Sequence, residues 1–244
     1  MNKRIYALLA ALCIALGCLA GCSGDGAGGG ETTAAPTESI DYAGTTVLDM
    51  NSETAKCELS IDKIKAFVDG DTTHFNAPAD QFENGVLKAR YLAVNTPEST
   101  GQIEAWGKKA SNFTKEKLSS ADSIIVESDD EKWNMDSNGR HLVWVWYRPA
   151  GQTEYRCLNI ELLQSGLGAS SSASEGRYGA TAVAAINQAT QEKLYMFSGE
   201  KDPEFPYGEA TSVTLKELRS NVENYNGKKV AVEEPRTQRD ISMK

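Results

Sequence analysis

Residues 86–98 read VLKARYLAVNTPE, and this stretch decides how the sequence around it is interpreted. Up to Val94, apolar and polar residues roughly alternate, which is typical of a β-strand with one face in a core. Thr96-Pro97-Glu98 then breaks the run, because proline has no amide to donate to a sheet. The stretch therefore predicts a strand that holds Arg90 and ends in a polar turn.

Two earlier runs complete a set of three strands. Residues 57–68 alternate with one irregularity, Asp69-Gly70-Asp71 is a turn signal, and residues 72–76 predict a short strand. Three strands joined by short loops make a meander, the kind of curled sheet that a small barrel uses.

The sequence after residue 98 adds a helix, a hairpin and two more helices. Over residues 103–118 the apolar spacing changes to a helical period, and Asn138-Gly139 marks a tight turn between two strands. The remaining predicted elements are strands at residues 123–127 and 141–147 and helices at residues 158–165 and 181–196. This order predicts an α+β, mainly β fold: a five-stranded, partly open OB-fold barrel with three capping helices.

Polar residues near the strand ends suit phosphodiester chemistry. Asp69 and Asp71 place paired carboxylates on a tight turn, where a hard cation such as calcium binds through oxygen. Glu98 supplies a carboxylate that could activate water, and Arg90 and Arg140 supply guanidinium groups for phosphate oxygens. These are the groups that metal-assisted phosphodiester hydrolysis requires.

The same motifs resemble the staphylococcal nuclease (thermonuclease) family. The chain has D-G-D-T at residues 69–72, R-x-x-x-x-x-T-P-E at residues 90–98 and D-x-x-G-R at residues 136–140, in the family's order and spacing. The helix with Ala110 and Phe113 and the later segments LNIELL and QEKL also fit. The resemblance extends from about Ser60 to Phe197, and it implies an SNase-like nuclease domain over residues 56–200.

The resemblance implies a calcium site and its ligands. Asp71 would bind the ion directly, and Asp69 would assist without touching it. The side chain of Asn95 and the carbonyl of Thr96 would complete the ligands from the protein.

It also implies the catalytic roles. Glu98 would orient or deprotonate the attacking water, and Arg90 and Arg140 would hold the phosphate and stabilise a pentacoordinate transition state. Family members cleave DNA and RNA and leave 3′-phosphates, so the expected function is that of a calcium-dependent nuclease.

Three departures from the family pattern weaken this expectation. Asn95 stands where the family usually has an aspartate, so the site loses one negative charge, and ligand charge tunes calcium affinity. Ser137-Asn138 replaces a Lys-Tyr pair, and residues 169–173 (ASSSA) replace a tyrosine-bearing stretch. Aromatic side chains supply much of single-strand affinity, so we expect a slow or calcium-demanding enzyme.

The charge balance opposes tight, non-specific binding to nucleic acid. The net charge is −9, and Cys57–Glu200 contains 14 Lys/Arg against 20 Asp/Glu. Such binding depends on Lys and Arg that neutralise phosphates, so the positive charge must be local or supplied by a metal. The only histidines, His74 and His141, lack the spacing of a histidine-based metal site.

The N-terminus predicts export and lipidation. Lys3 and Arg4 precede an apolar run that is shorter than the roughly 20 residues of a membrane-spanning helix, so residues 1–21 are expected to be a signal peptide. Leu19-Ala20-Gly21-Cys22 resembles a bacterial lipobox, which implies lipidation of Cys22 and an extracytoplasmic protein anchored to the bacterial cell membrane. An ordinary signal peptide with an incidental cysteine is the alternative. Residues 22–55 are expected to be a flexible linker.

Two further expectations concern the cysteines and the C-terminus. Cys57 and Cys157 could pair in an exported protein or remain independent buried thiols, and their spacing does not decide between these states. Residues 201–244 predict a linker and the truncated start of a second small domain, which we expect to be disordered because one strand cannot make a domain.

Besides an active nuclease, two functions stay open at this stage. A barrel that has lost turnover would be a nucleic-acid-binding module, and Asn95 is the residue that suggests this alternative. An envelope lipoprotein that only contacts other proteins would suit the acidic composition. Arg90, Glu98 and Arg140 favour the nuclease over both.

Overall fold

Burial alternates along the strands at residues 56–59 and 86–91, whereas the strands at residues 121–128 and 141–149 are mostly buried. The computed structural model describes residues 39–171, 176–208, 210–225 and 228–233. The strands are β1 (Lys56–Leu59), β2 (Ile64–Asp69), β3 (Thr72–Asn76), β4 (Val86–Tyr91), β5 (Val94–Asn95), β6 (Ala121–Ser128), β7 (His141–Pro149), β8 (Arg156–Cys157), β9 (Ala169–Ser170), β10 (Thr211–Thr214) and β11 (Val230–Glu233). The α-helices are α1 (Tyr42–Thr45), α2 (Gly107–Ser119), α3 (Leu158–Gln164), α4 (Gly179–Gln191), α5 (Leu215–Ser220) and α6 (Val222–Tyr225).

Seven strands form the main sheet, in the order β1-β6-β7-β4-β3-β2 with β8 paired to β7. β4 and β7 run parallel, and the other pairs are antiparallel. The two edge strands, β1 and β2, are consecutive in the chain and are separated by a 3-10 turn at Ile61–Lys63. The fold is therefore mixed α+β, mainly sheet, and consistent with an OB-like arrangement. The count exceeds the predicted five because the first predicted strand is divided in two and β8 is added.

A large apolar core fills the space between the sheet and the helices. Trp144 and Trp146 of β7 are fully buried, which confirms the neutral packing role that their alternation suggests. Each indole N–H donates to a carboxylate: Trp144 Nε1 to Asp129 at 2.7 Å and Trp146 Nε1 to Glu127 at 2.9 Å. Burying a tryptophan this deeply requires such a partner, because an unpaired buried N–H is costly.

The three predicted helices are present as α2, α3 and α4, but α2 starts at Gly107 rather than at residue 103. Trp106 has φ +68°, a left-handed conformation, and a Cβ on Gly107 would lie 2.1 Å from the carbonyl oxygen of Glu98. Only glycine permits that approach, so the loop of residues 96–106 packs directly against the start of α2.

The second half of the predicted flexible linker is ordered in the structure. Ala43 of α1 is fully buried, and Asp41 accepts two hydrogen bonds from Arg156, at 2.6 and 2.8 Å. This bidentate pair holds residues 39–55 against the domain, which sequence composition alone did not indicate. The predicted signal peptide, Cys22 and the rest of the predicted linker up to residue 38 lie outside the described residues.

The C-terminal segment also differs from the expected disorder. β10 and β11 form a parallel pair, linked through α5 and α6, so the strand predicted to lack a partner has one. Residues 234–244 lie outside the described part of the chain.

Cys57 and Cys157 are buried free thiols in the structure. Cys57 pairs with Val126 of β6, and Cys157 pairs with Trp146 of β7, so β6 and β7 lie between them in the sheet. Strands are about 4.8 Å apart and a disulfide needs Cα atoms within about 7 Å, so this register does not allow the bridge. Within the described residues, no helix has the length and apolar character needed to span a membrane.

Candidate active site

Arg90 lies at the centre of the candidate site, at the end of β4. Its Nη1 lies 2.8 Å from Asp71 Oδ2 and donates to the carbonyl of Val94 at 2.9 Å. Its Nη2 donates to Asn95 Oδ1 at 2.7 Å. One guanidinium thus joins the turn before β3, the end of β4 and strand β5, in the fork geometry that arginine provides.

Asp71 is held by a second set of contacts. Its side chain is nearly buried, with a relative exposure of 5 % for the residue, and Oδ2 also accepts from the backbone N–H of Thr96 at 2.7 Å. Oδ1 accepts from the Thr72 hydroxyl at 2.9 Å. A buried carboxylate is tolerated only when it is paired and hydrogen-bonded, and Asp71 is both.

Asp69 anchors the loop that carries Glu98. Asp69 Oδ1 accepts from the Ser99 N–H at 3.0 Å and from the Ser99 hydroxyl at 2.8 Å. It therefore positions the loop of residues 96–106 and makes no hydrogen bond with Arg90. The assisting role of Asp69 at a calcium site stays a prediction.

Glu98 is exposed at the edge of the site, among other carboxylates. Loss of solvent around the carboxyl group, then the charges of Asp69, Asp71 and Glu104, raise the pKa of Glu98, and Arg90 opposes them. The backbone N–H of Glu98 donates to Glu104 at 3.1 Å. Carboxylates that repel one another in this way form an environment that favours a bound cation.

Arg140 stands apart from this network. Its Nε donates to Asp136 Oδ2 at 2.7 Å, and its backbone N–H donates to Asp136 Oδ1 at 2.9 Å. Arg90 is aligned with Leu142 across the parallel β4–β7 pair, so Arg140 lies two residues earlier on the neighbouring chain segment. Arg140 thus lies just before β7, outside the sheet, and it makes no hydrogen bond or ion pair with the other predicted site residues that the structure describes.

The candidate donors for a cation are oxygen atoms of Asp71, Asn95 and Thr96. Asp71 Oδ2 and Asn95 Oδ1 both contact the Arg90 guanidinium, and the buried Thr96 hydroxyl oxygen has no hydrogen-bond partner. Such oxygens suit calcium in type, although the guanidinium holds the two side-chain oxygens in this structure. In the described part of the chain, no group of three or more His, Cys, Asp or Glu side chains forms a metal-binding cluster.

Sequence reasoning missed two residues that shape the site. Glu104 accepts the Glu98 N–H, and Asp202, only 4 % exposed, accepts the Trp106 N–H at 2.7 Å. Asp202 therefore caps α2 where the loop ends. It lies in a stretch interpreted as a linker, and no local signal in the sequence distinguishes it from the neighbouring charged residues.

Comparison with known protein families supports the resemblance that the sequence motifs carry. Residues 88–199 match the model of the staphylococcal nuclease homologue family. The match supports an SNase-like homologue over this stretch, as the sequence motifs indicate. It includes Arg90, Asn95, Thr96, Glu98 and Arg140, whereas Asp69 and Asp71 precede it and are joined to it by the contacts above. No curated protein matches the chain.

Proposed function

We propose that the chain is a calcium-dependent nuclease that hydrolyses phosphodiester bonds of DNA or RNA and leaves 3′-phosphates. The observation that carries the proposal is the Arg90 network, in which a phosphate-binding guanidinium, a buried carboxylate and an amide oxygen meet beside Glu98. The homology of residues 88–199 to staphylococcal nuclease supports the same chemistry.

In this proposal Asp71, Asn95 and the Thr96 carbonyl hold the calcium ion, with Asp69 holding the adjacent loop. Bound calcium would supply Lewis-acid polarisation of the phosphate and favour ionised water. Arg90 would release part of its present hold on Asp71 and Asn95 and turn its N–H groups to the phosphate oxygens.

Glu98 takes the proton of the attacking water in this scheme. Its raised pKa reflects the carboxylates around it, and a bound cation would lower that pKa again, so that Glu98 is ionised when the site is loaded. Arg140 would leave Asp136 to stabilise the charge that develops on the phosphate, because a guanidinium contributes most where it meets charge formed in the transition state.

The fold proposed for this activity is a five-stranded barrel. β1 and β2 would act as one bent strand, and their position at the two edges of the sheet would close it. We also propose that residues 1–21 are a signal peptide, that Cys22 is lipidated, and that the domain acts outside the cytoplasm on the membrane to which it is anchored.

The proposal is tested with the full chain and denatured DNA at millimolar calcium. We expect cleavage that leaves 3′-phosphates, stops with EGTA and is lost in Glu98→Gln. A well-folded sample that does not cleave at high calcium would overturn the enzymatic proposal.

One observation favours a second candidate, a nucleic-acid-binding module without turnover. Arg90 bridges Asp71 and Asn95, so a cationic side chain of the protein already satisfies both oxygens. If this module is the function, the folded chain binds single-stranded DNA equally well in calcium and in EGTA and cleaves it in neither.

A further inference from the structure

The outer face of β2, β3 and β4 carries basic side chains beside the candidate site. In β4, Lys88 is exposed between two buried neighbours, and Arg90 follows it on the same face. His74 of β3 lies directly opposite Lys88 in the antiparallel register. Lys65 of β2 is exposed at a register shift, next to Ala66, which lies opposite His74. We refer to Lys65, His74 and Lys88 as the basic row.

The pKa of His74 shows that several positive charges lie close to the same imidazole ring. Burial of the ring, followed by the charges of Lys88, Lys65 and Arg140, lowers the pKa of His74. The ring is therefore neutral at neutral pH, and the positive potential comes from the lysines and the arginine.

The two lysines of the basic row have no counter-ion in the described residues. Arg90 is paired with Asp71 and Arg140 with Asp136, whereas neither Lys65 nor Lys88 has a carboxylate within ion-pair distance there. Two unpaired cations on one sheet face form a local positive patch, which attracts an anion even when the whole protein is acidic.

The basic row leads directly into the candidate site. Lys88 and Arg90 are two residues apart on one face, about 7 Å along the strand. A row of cations that continues from a phosphate-binding arginine suits a chain of phosphates better than a single anion. It also provides the local positive charge that the acidic composition requires of a nucleic-acid-binding surface.

We propose that the basic row binds the phosphate backbone of a nucleic-acid strand next to the bond that is cleaved, with Lys65 and Lys88 each contacting phosphate. This inference rests on the proposed nuclease function and extends it by assigning the path of the strand across β2, β3 and β4. The row compensates for the Lys-Tyr pair and the tyrosine stretch that this chain lacks.

The test measures binding without turnover. The full chain and its Lys65→Gln/Lys88→Gln variant are titrated in EGTA against a labelled single-stranded DNA of about 15 nucleotides, with fluorescence anisotropy as the readout. Each phosphate contact on a single strand contributes roughly 0.7 to the slope of log K against log salt, so the slope should fall by about 1.4. The affinity should fall about 25-fold at roughly 0.1 M salt.

A matched control separates the row from net charge. Lys115→Gln/Lys216→Gln removes two exposed helical lysines and should leave the affinity and slope unchanged. The inference is overturned if the Lys65/Lys88 variant binds like the unmodified chain, or if the unmodified chain does not bind. It is also overturned if the variant loses binding only to vesicles of anionic lipid, because the row would then contact a membrane.

The same data separate this inference from the proposed function. If the chain does not cleave in calcium but its binding depends on Lys65 and Lys88, the inference about the basic row stands and the nuclease proposal fails. If the chain cleaves while the double variant binds normally, the nuclease proposal stands and the inference about the basic row fails.

Discussion

The two sides of the candidate site are built in opposite ways. On one side, Asp71 is buried and Arg90 is mostly buried, and the two side chains form an ion pair. On the other side, Glu98 is exposed, and its carboxyl group lies among Asp69, Asp71 and Glu104 without an ion pair of its own in the described residues.

This difference teaches how binding and catalysis are divided. The Asp71 side is preorganised, so its contacts contribute to stability as well as to ligand binding. The Glu98 side is strained by like charges, so it gains from a cation and contributes little to the fold. Substitutions on the two sides should therefore have different effects on activity and stability.

Glu98→Gln should have the largest effect on activity and no adverse effect on the fold. Loss of a general base reduces turnover by about 10³-fold, within the range of acid–base catalysis. In EGTA the variant should melt no lower than the unmodified chain at neutral pH. The pKa of Glu98 is raised in the folded state, so its stabilising contribution is present below the unfolded pKa and is lost as the pH rises through the folded pKa.

Kinetics and thermal melts between acidic and neutral pH check this pair of effects. Glu104→Gln is the control, since it removes a neighbouring charge and keeps an acceptor for the Glu98 N–H. If Glu98→Gln retains turnover, Glu98 is not the general base.

Arg90→Lys should damage both activity and stability. A lysine keeps the charge but cannot contact Asp71 and Asn95 together, so turnover should fall roughly 100-fold and the protein should lose about 1–3 kcal/mol of unfolding free energy. Steady-state kinetics and urea denaturation measure the two effects.

The matched control for Arg90 is Arg156→Lys. Arg156 likewise bridges two side chains, the carboxylates of Asp41 and Glu161, but in the contact that holds the N-terminal segment. It should cost stability alone. Equal effects of the two substitutions on turnover would contradict a special role of Arg90.

The contrast between the two sides also explains what the sequence could predict. Strands β3, β4, β6 and β7 and helices α2, α3 and α4 follow from local periodicity, and the motif residues around Arg90 follow from spacing. The Arg90 side is built from residues close in sequence, so motif reasoning finds it.

The remaining features depend on contacts between distant segments. Asp41 meets Arg156 across 115 residues, and Asp202 meets the Trp106 N–H across 96 residues, in stretches whose composition indicates linkers. A turn-forming aspartate and a helix-capping aspartate have the same local sequence character, so only the folded chain distinguishes them.

Asn95→Asp should increase the difference between the two sides, because it adds a negative charge to the Asp71 side. Asn95 Oδ1 already faces the point where Asp71 and Arg90 meet, and a carboxylate there should raise calcium affinity at least about tenfold. Isothermal titration with calcium is the measurement, independent of turnover. Asn112→Asp, which adds the same charge on the exposed face of α2, should leave the affinity unchanged. A variant with unchanged affinity would mean that residue 95 does not contact the ion.

Asp202→Ala should have the smallest effect on activity, and it tests whether the start of α2 positions Glu98. The substitution removes the acceptor for the Trp106 N–H, and loss of a helix cap costs about 1–2 kcal/mol of unfolding free energy. Because Gly107 packs against the Glu98 carbonyl, loosening the start of α2 should also move Glu98 and lower kcat several-fold, with calcium affinity unchanged. Asp202→Asn keeps an acceptor and should recover part of both losses, whereas Glu200→Ala, at an exposed neighbour, should change neither. If kcat falls only in proportion to the unfolded fraction, Asp202 stabilises the helix without positioning Glu98.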